Sequence, residues 1–148
     1  MDRRSLEETL RGQYRQLIRA KVRVPSTIAT LALRHFKRSF QQEGFTDRSF
    51  VRWPEVNRRK SGHPQYQPRQ QQKILVGKAS PGISATLRVS SRTFEKVAIA
   101  SFGKRYAQYH NEGVPGRLPE RKFMGHSEVL FREVDKHIKQ QFDKTFKV

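Results

Sequence analysis

The chain contains no cysteine in 148 residues. That excludes disulfides, a thiolate nucleophile and any cysteine-based zinc site. Apolar residues are scarce as well, at 34%, so part of the chain is not expected to pack in isolation. The length still suits a single domain, 1–148, that buries a core without covalent staples. No apolar run approaches the roughly 20 residues of a membrane span, and no membrane partner is expected. The opening MDRRSLEETLRGQYRQL has no apolar h-region, so no secretory signal is expected, and cytoplasm-like conditions or carriage inside an assembly follow. Neither a GxxxxGK[ST] phosphate loop nor a glycine-rich dinucleotide turn after a strand occurs, which leaves nucleotide-driven enzymes without support.

Negative charge is the other shortage. Against 13 Asp and Glu stand 31 Lys and Arg, a net charge of +18 that attracts polyanions over long range. The cations are spread along the chain rather than gathered in one tail. Ribosomal RNA, genomic DNA and an acidic protein surface are the partners this charge suits, without any implied specificity.

Leu6, Leu10, Tyr14 and Leu17 fall at helical spacing, and residues 1–24 read as a basic helix or an arm ordered by a partner. A second helix is expected to start at Pro25 and Ser26, to run through the row Ile28, Ala32, Phe36 and Phe40, and to end at Gly44 as a left-handed cap. His35 beside that face reads as a packing residue. From Thr46 periodicity disappears, and 52–73 reads as an extended basic loop, too long and too apolar-poor for an ordinary connection. Trp53 is expected to pin its first half to the core, and His63 to be exposed. Arg52, Arg58, Arg59, Lys60, Arg69 and Lys73 are its candidates for DNA or partner contact.

Ile83, Ala85, Leu87 and Val89 make one row at period two, and Phe94, or Val97 with Ile99, supplies a returning strand across the polar SSRT. Leu130, Val134, Ile138, Phe142 and Phe146 then lie four apart, a stripe for a terminal helix with Ser127 as its N-cap. The fold class is α+β: a small antiparallel sheet packed against N-terminal and C-terminal helices, with a long irregular basic loop.

Between sheet and terminal helix stands RYAQYHNEGVPGRLPERKF, residues 105 to 123. His110, Asn111 and Glu112 are consecutive, on a stretch that suits a turn of helix or a short strand. In a strand His110 and Glu112 would point one way and Asn111 the other, and in a helix no two would share a face, whereas acid–base work needs two titrating groups aimed at one position. A metal-dependent nuclease resting on His110, Asn111 and His126 is the weakest of the readings weighed, because a metal needs three or more convergent ligands. No cofactor, metal or catalytic residue is expected. A docking loop uses more of the residues. Tyr106 and Tyr109 flank the turn, Gly113, Pro115 and Gly116 steer the backbone, and Pro119 ends it. Arg117 and Arg121 are expected to point outward beside Phe123 and Met124, His110 to hold the loop through side-chain hydrogen bonds, and Glu112 to pair with one of those arginines.

YAQYHNEG, followed by LPERKFMGHS and an amphipathic terminal helix, resembles the tailed-bacteriophage virion morphogenesis or tail-completion (head–tail joining) proteins. The shared pattern falls on Tyr106, Ala107, Tyr109, His110, Asn111, Glu112, Gly113, Pro119, Arg121, Phe123, Met124 and Gly125. Phe40, Gly44, Phe45 and Trp53 resemble the same family upstream, and the likeness covers about 28–146. GKASPGISATLRV departs from the family's usual T-G-x-L-R at the turn before the strand. The resemblance implies a non-enzymatic virion protein, part of an oligomeric ring at the head–tail junction or neck, around the DNA channel. Its implied partners are copies of itself, the portal-side connector, tail tube or tail terminator proteins, and non-specifically double-stranded DNA. The implied location is the virion, with the host cytoplasm during assembly. Composition alone favours the alternative, a ribosomal-type nucleic-acid-binding protein.

Overall fold

A computed structural model describes residues 2–60, 72–76 and 82–146, with Thr145 and Phe146 described by backbone alone. Helix α1 runs unbroken from Arg3 to Gln42, with Pro25 inside it. The two expected segments, a basic helix or arm over 1–24 and a helix beginning at Pro25, are thus one helix. Ser26 shows why the start signal misleads. Its hydroxyl donates to the carbonyl of Val22 one turn back (3.4 Å), as an interior helical serine does, whereas a capping serine accepts from N–H groups ahead of it. An interior proline costs about 3 kcal/mol. Burial of Pro25 itself and of Ala29, Leu31, Phe36 and Phe40 in the turns beyond it offsets that cost.

The helix ends one residue before the expected glycine. Glu43 takes the left-handed conformation (φ 54°, ψ 44°), with its N–H on the carbonyl of Ser39. Gly44 instead opens strand β1 (Gly44–Thr46), where an added Cβ would fall 2.4 Å from the Phe50 ring. The glycine there answers a need for space, not for a positive φ.

β1 pairs antiparallel with β2 (Phe50–Arg52) in the register Gly44↔Arg52, Phe45↔Val51, Thr46↔Phe50. This hairpin lies where periodicity had vanished from the sequence, because strands of three residues are too short to show a period. A single turn, α2 (Asn57–Lys60), follows. His63 and Arg69 lie outside the described residues, as do all of 61–71 and the stretch 77–81.

The second correction concerns the main sheet. Ile83–Thr86 form a helical turn, α3, tied by the Thr86 hydroxyl on the Ile83 carbonyl (2.8 Å). Ile83 and Leu87 are both buried, but as i,i+4 neighbours off that turn rather than as one strand row, and Ala85 is exposed. β3 (Leu87–Arg92) pairs antiparallel with β4 (Val97–Ser101). SSRT is not the connection: Ser90 is the extra residue of a bulge between Val89 and Ser91, and the chain turns at Thr93–Lys96. Phe94 sits exposed at that turn, while Val97 and Ile99 belong to β4.

Helix α4 (Ala107–Glu112) leads into the 113–126 loop, and α5 (Glu128–Phe146) closes the chain. Ser127 caps α5 as expected, its hydroxyl accepting from the Leu130 N–H (3.2 Å) while donating to the Thr46 carbonyl (2.8 Å). Asp47 accepts from the Glu128 N–H (2.8 Å), so the start of α5 is fixed to the β1–β2 turn. α1 packs on α5 and against the β3–β4 hairpin, giving an α+β domain with helices flanking a small antiparallel sheet. Its core joins Phe36, Phe40, Phe45, Trp53, Ile74, Ile83, Leu87, Ala107 and Phe123. The α5 stripe is buried in a gradient: Leu130, Val134 and Ile138 are half-buried, whereas Phe142 stays 44% exposed.

Candidate functional site

Residues 105–126 divide into an inner half that holds the fold and an outer half that faces solvent. Ala107 is buried and anchors α4. Asn111, one turn on, accepts with its single Oδ1 from the N–H groups of Phe123 and Met124, both at 3.0 Å. Arg121 donates its N–H to the His110 carbonyl (2.7 Å). Phe123 is buried against Phe40, ring centroids 5.0 Å apart, and the Trp53 indole donates to the Lys122 carbonyl (2.7 Å). Trp53 therefore pins the chain as expected, and its partner is this loop.

Several expected roles are overturned here. Arg121 does not point outward: it is 5% exposed, and its Nε and Nη2 both donate to the Pro54 carbonyl at 3.2 Å. Burial lowers its affinity for a proton, as does repulsion from Arg58, while Glu55 works the other way. His110 does not hold the loop by side-chain hydrogen bonds, since its buried Nδ1 has no partner among the described residues. Its ring instead meets the Tyr106 ring edge-on at 5.8 Å. Burial first, then the positive field of Arg121, pushes its pKa down. Glu112 accepts from the Gln108 side chain (3.2 Å) rather than from Arg117 or Arg121. His110, Asn111 and Glu112 thus aim at no common point, and among the described residues no group of three His, Asp or Glu is gathered as a ligand set.

The outer half is a small tongue. Val114 and Leu118 exchange backbone hydrogen bonds (2.7 and 2.8 Å), and Arg117 N–H closes on the Val114 carbonyl (3.0 Å). Pro115 followed by Gly116 at φ 69° is the signature of a type II turn. Gly113 combines φ 73° with a close approach: a Cβ would lie 2.8 Å from the Glu120 nitrogen. Tyr106, Tyr109, Glu112 and Pro119 are exposed. The proposed docking set therefore contracts to these four and the tongue, while Asn111, Arg121, Phe123 and Met124 face inward.

The basic segment is redrawn in the same way. Arg59 makes a two-pronged pair with Glu43 (2.6 and 2.8 Å) and also reaches the Gln72 carbonyl (3.0 Å). The Ile74 N–H donates to the same Glu43 carboxylate (2.8 Å). Those hydrogen bonds, Arg59's foremost, hold the Glu43 carboxyl below its usual range against the opposing effect of burial. Arg58 donates to the carbonyls of Gln72 and Lys73, and the Lys73 ammonium to that of Gln41 (2.5 Å). These cations tie 72–76 to the end of α1. Of the described candidates Arg52, Lys60 and Lys73 are exposed, while Arg58 and Arg59 are half-buried.

What the sequence reading missed lies on α1. Its first half extends beyond the core and leaves Leu6, Leu10, Tyr14, Leu17, Ile18 and Val22 between 41% and 69% exposed. Tyr14, Leu17, Ile18 and Val24 line, with Phe94 and Phe142, an apolar hollow of about 220 Å³. The helix is also free of acidic residues from Thr9 to Gln42, a signal that was legible in the sequence. No protein-family model, curated protein or solved structure matches the chain.

Proposed function

We propose that this protein is a structural, non-enzymatic component of a ring at the head–tail junction of a tailed phage, surrounding the DNA channel. The observation that carries the reading is the apolar row on the first half of α1, which covers no core of its own. Six large apolar side chains, Leu6, Leu10, Tyr14, Leu17, Ile18 and Val22, stand in water on one helix. Such a surface suits a partner chain. A ring needs two unlike faces that dock head to tail. The α1 row with its hollow supplies one, and Phe102, Tyr106 and Tyr109, all exposed, supply a second on a different part of the chain. The three polar residues that resemble a catalytic cluster are engaged by the fold or point apart, which supports assembly over chemistry. The net charge of +18 suits a bore that passes DNA without reading it.

The test is oligomeric state by light scattering with negative-stain imaging, alone and with a short duplex to relieve self-repulsion. Closed rings are expected, and Leu10→Glu/Leu17→Glu should yield a folded monomer. A parent that stays monomeric at every concentration and with duplex, while binding ribosomal RNA one to one, would replace this reading with the ribosomal-type one.

A further inference from the structure

α1 and α5 are both long surface helices, yet they carry charge in opposite ways. α5 sets Glu128, Glu133, Asp135 and Asp143 against Arg132, Lys136, Lys139 and Lys144. Four of these charges form two i,i+4 pairs, Arg132 with Glu128 (3.4 Å) and Lys139 with Asp135 (2.7 Å). α1 between Thr9 and Gln42 holds Arg11, Arg15, Arg19, Lys21, Arg23, Arg34, Lys37 and Arg38, and no Asp or Glu. Arg34 reaches across to Glu133 (2.9 Å). Arg11, Arg15, Arg19 and Arg23 are four apart and exposed, and among the described residues none of them is in an ion pair.

Like charges four apart on a helix repel one another. A face that needed only solvation would be interleaved with carboxylates, as α5 is. The repulsion is relieved when anions lie along the row. We propose that Arg11, Arg15, Arg19 and Arg23 form a contact surface for the phosphate backbone of double-stranded nucleic acid, without base readout.

The spacing suits that ligand. Four residues rise about 6 Å and turn about 40° past a full turn, so the row climbs about 18 Å while slanting round the helix. Over that distance a duplex presents about ten phosphate charges, enough for each guanidinium to reach one. All four residues are arginine, whose planar fork binds phosphate oxygens in pairs. Within the row Arg15 Nε donates to the Arg11 carbonyl (3.3 Å), a contact along the helix itself, whereas Arg58, Arg59 and Lys73 tie separate segments together through backbone carbonyls and Glu43. The inference rests on the channel reading only for the choice of duplex DNA as the natural polyanion.

The experiment measures anisotropy of labelled DNA and RNA duplexes across a salt series, and co-sedimentation with phosphatidylcholine vesicles containing phosphatidylserine. The parent is compared with Arg11→Gln/Arg15→Gln/Arg19→Gln/Arg23→Gln. A control, Arg132→Gln/Lys136→Gln/Lys139→Gln/Lys144→Gln, removes the same charge from α5. Four phosphate contacts correspond to about 3.6 units of the slope of log K against log salt, on the order of a hundredfold in affinity for a fourfold rise in salt. The α1 variant should lose that slope and the α5 variant should keep most of it, with circular dichroism showing both folded. Equal losses in the two variants would make net charge, not this row, responsible and overturn the proposal. So would unchanged binding in the α1 variant, or a parent that prefers the anionic vesicles to either duplex. Light scattering on the same samples separates the two ideas. An α1 variant that closes rings without holding DNA supports both, and a parent that binds duplex through this row without forming rings overturns the ring alone.

Discussion

The carboxylate of Glu43 and the guanidinium of Arg59 meet in two parallel hydrogen bonds, Oε1–Nη2 at 2.6 Å and Oε2–Nη1 at 2.8 Å, where α1 ends. Their side chains are 13% and 20% exposed, and the Ile74 N–H and Trp53 N–H close on the same residue, through its carboxylate and its carbonyl. Glu43 occupies a left-handed position that glycine ordinarily fills because its carboxylate organises the chain on both sides.

Glu43→Gln should therefore lose about 2–3 kcal/mol in urea unfolding, less than for a fully buried pair because both side chains keep some solvent. Glu43→Gly should also lose stability, since the pair outweighs the roughly 1–2 kcal/mol of left-handed strain that glycine relieves. The pH dependence has a definite sign. The folded carboxyl titrates below its ordinary 4.5, so its contribution is complete above that value and is lost as pH falls through the folded one. The parent should lose stability more steeply than Glu43→Gln below about pH 4.5, and identical acid slopes would remove Glu43 from this role.

Asn111 gives the second prediction. Its Oδ1 accepts two backbone N–H groups in the interior, and Asn111→Ala leaves both without a partner, at about 1–3 kcal/mol each. Asn111→Asp keeps an acceptor in place and should retain most of the stability. Hydrogen exchange at Phe123 and Met124 is the direct measure: both amides should exchange faster in the alanine variant and stay protected in the aspartate variant. Equal protection in all three proteins would mean that the loop is held by Phe123 burial alone.

The helices flanking a small sheet were legible because their periods run over many turns. The Leu130, Val134, Ile138 stripe and the Ser127 cap are signals of that kind. What escaped was short or inward. Three-residue strands carry no period, and a Pro-Ser pair has the same letters inside a helix as at its start. Arg121 and Asn111 looked like surface chemistry because polar residues near glycine and proline usually face water. Only the fold reveals that one supports the Pro54 carbonyl and the other two amides.

His110 and His35 predict a stability change near neutral pH. Both are held below the ordinary 6.5, in each case chiefly by burial. A depressed folded value means stability is full above pH 6.5 and declines as pH falls, when the unfolded chain takes up protons that the folded one resists. His110→Phe should flatten part of that decline. It should also stabilise the protein by about 1–3 kcal/mol, because it removes a buried nitrogen with no hydrogen bond among the described residues. Neither protein should cut plasmid DNA with Mg²⁺ or Mn²⁺. Cleavage by the parent that disappears in the variant would revive the nuclease reading.

The burial gradient along α5 separates folding from assembly. Ile138 is half-buried where α5 packs on α1, so Ile138→Ala should cost about 2–3 kcal/mol and lower the thermal midpoint of the monomer. Phe142 is 44% exposed at the rim of the apolar hollow with Tyr14, Leu17 and Phe94. Much of its surface is already in water, so Phe142→Ala should cost the monomer under about 1.5 kcal/mol, well short of the loss for a buried phenylalanine. If a neighbouring copy fills the hollow, the same change removes contact area from the interface and should weaken ring formation far more than it lowers the midpoint. Thermal unfolding at low concentration and light scattering at high concentration read the two effects separately. A Phe142→Ala protein that assembles like the parent would leave the hollow outside the ring contact. The α1 row at Leu6 and Leu10 would then be the face to test against Tyr106 and Tyr109.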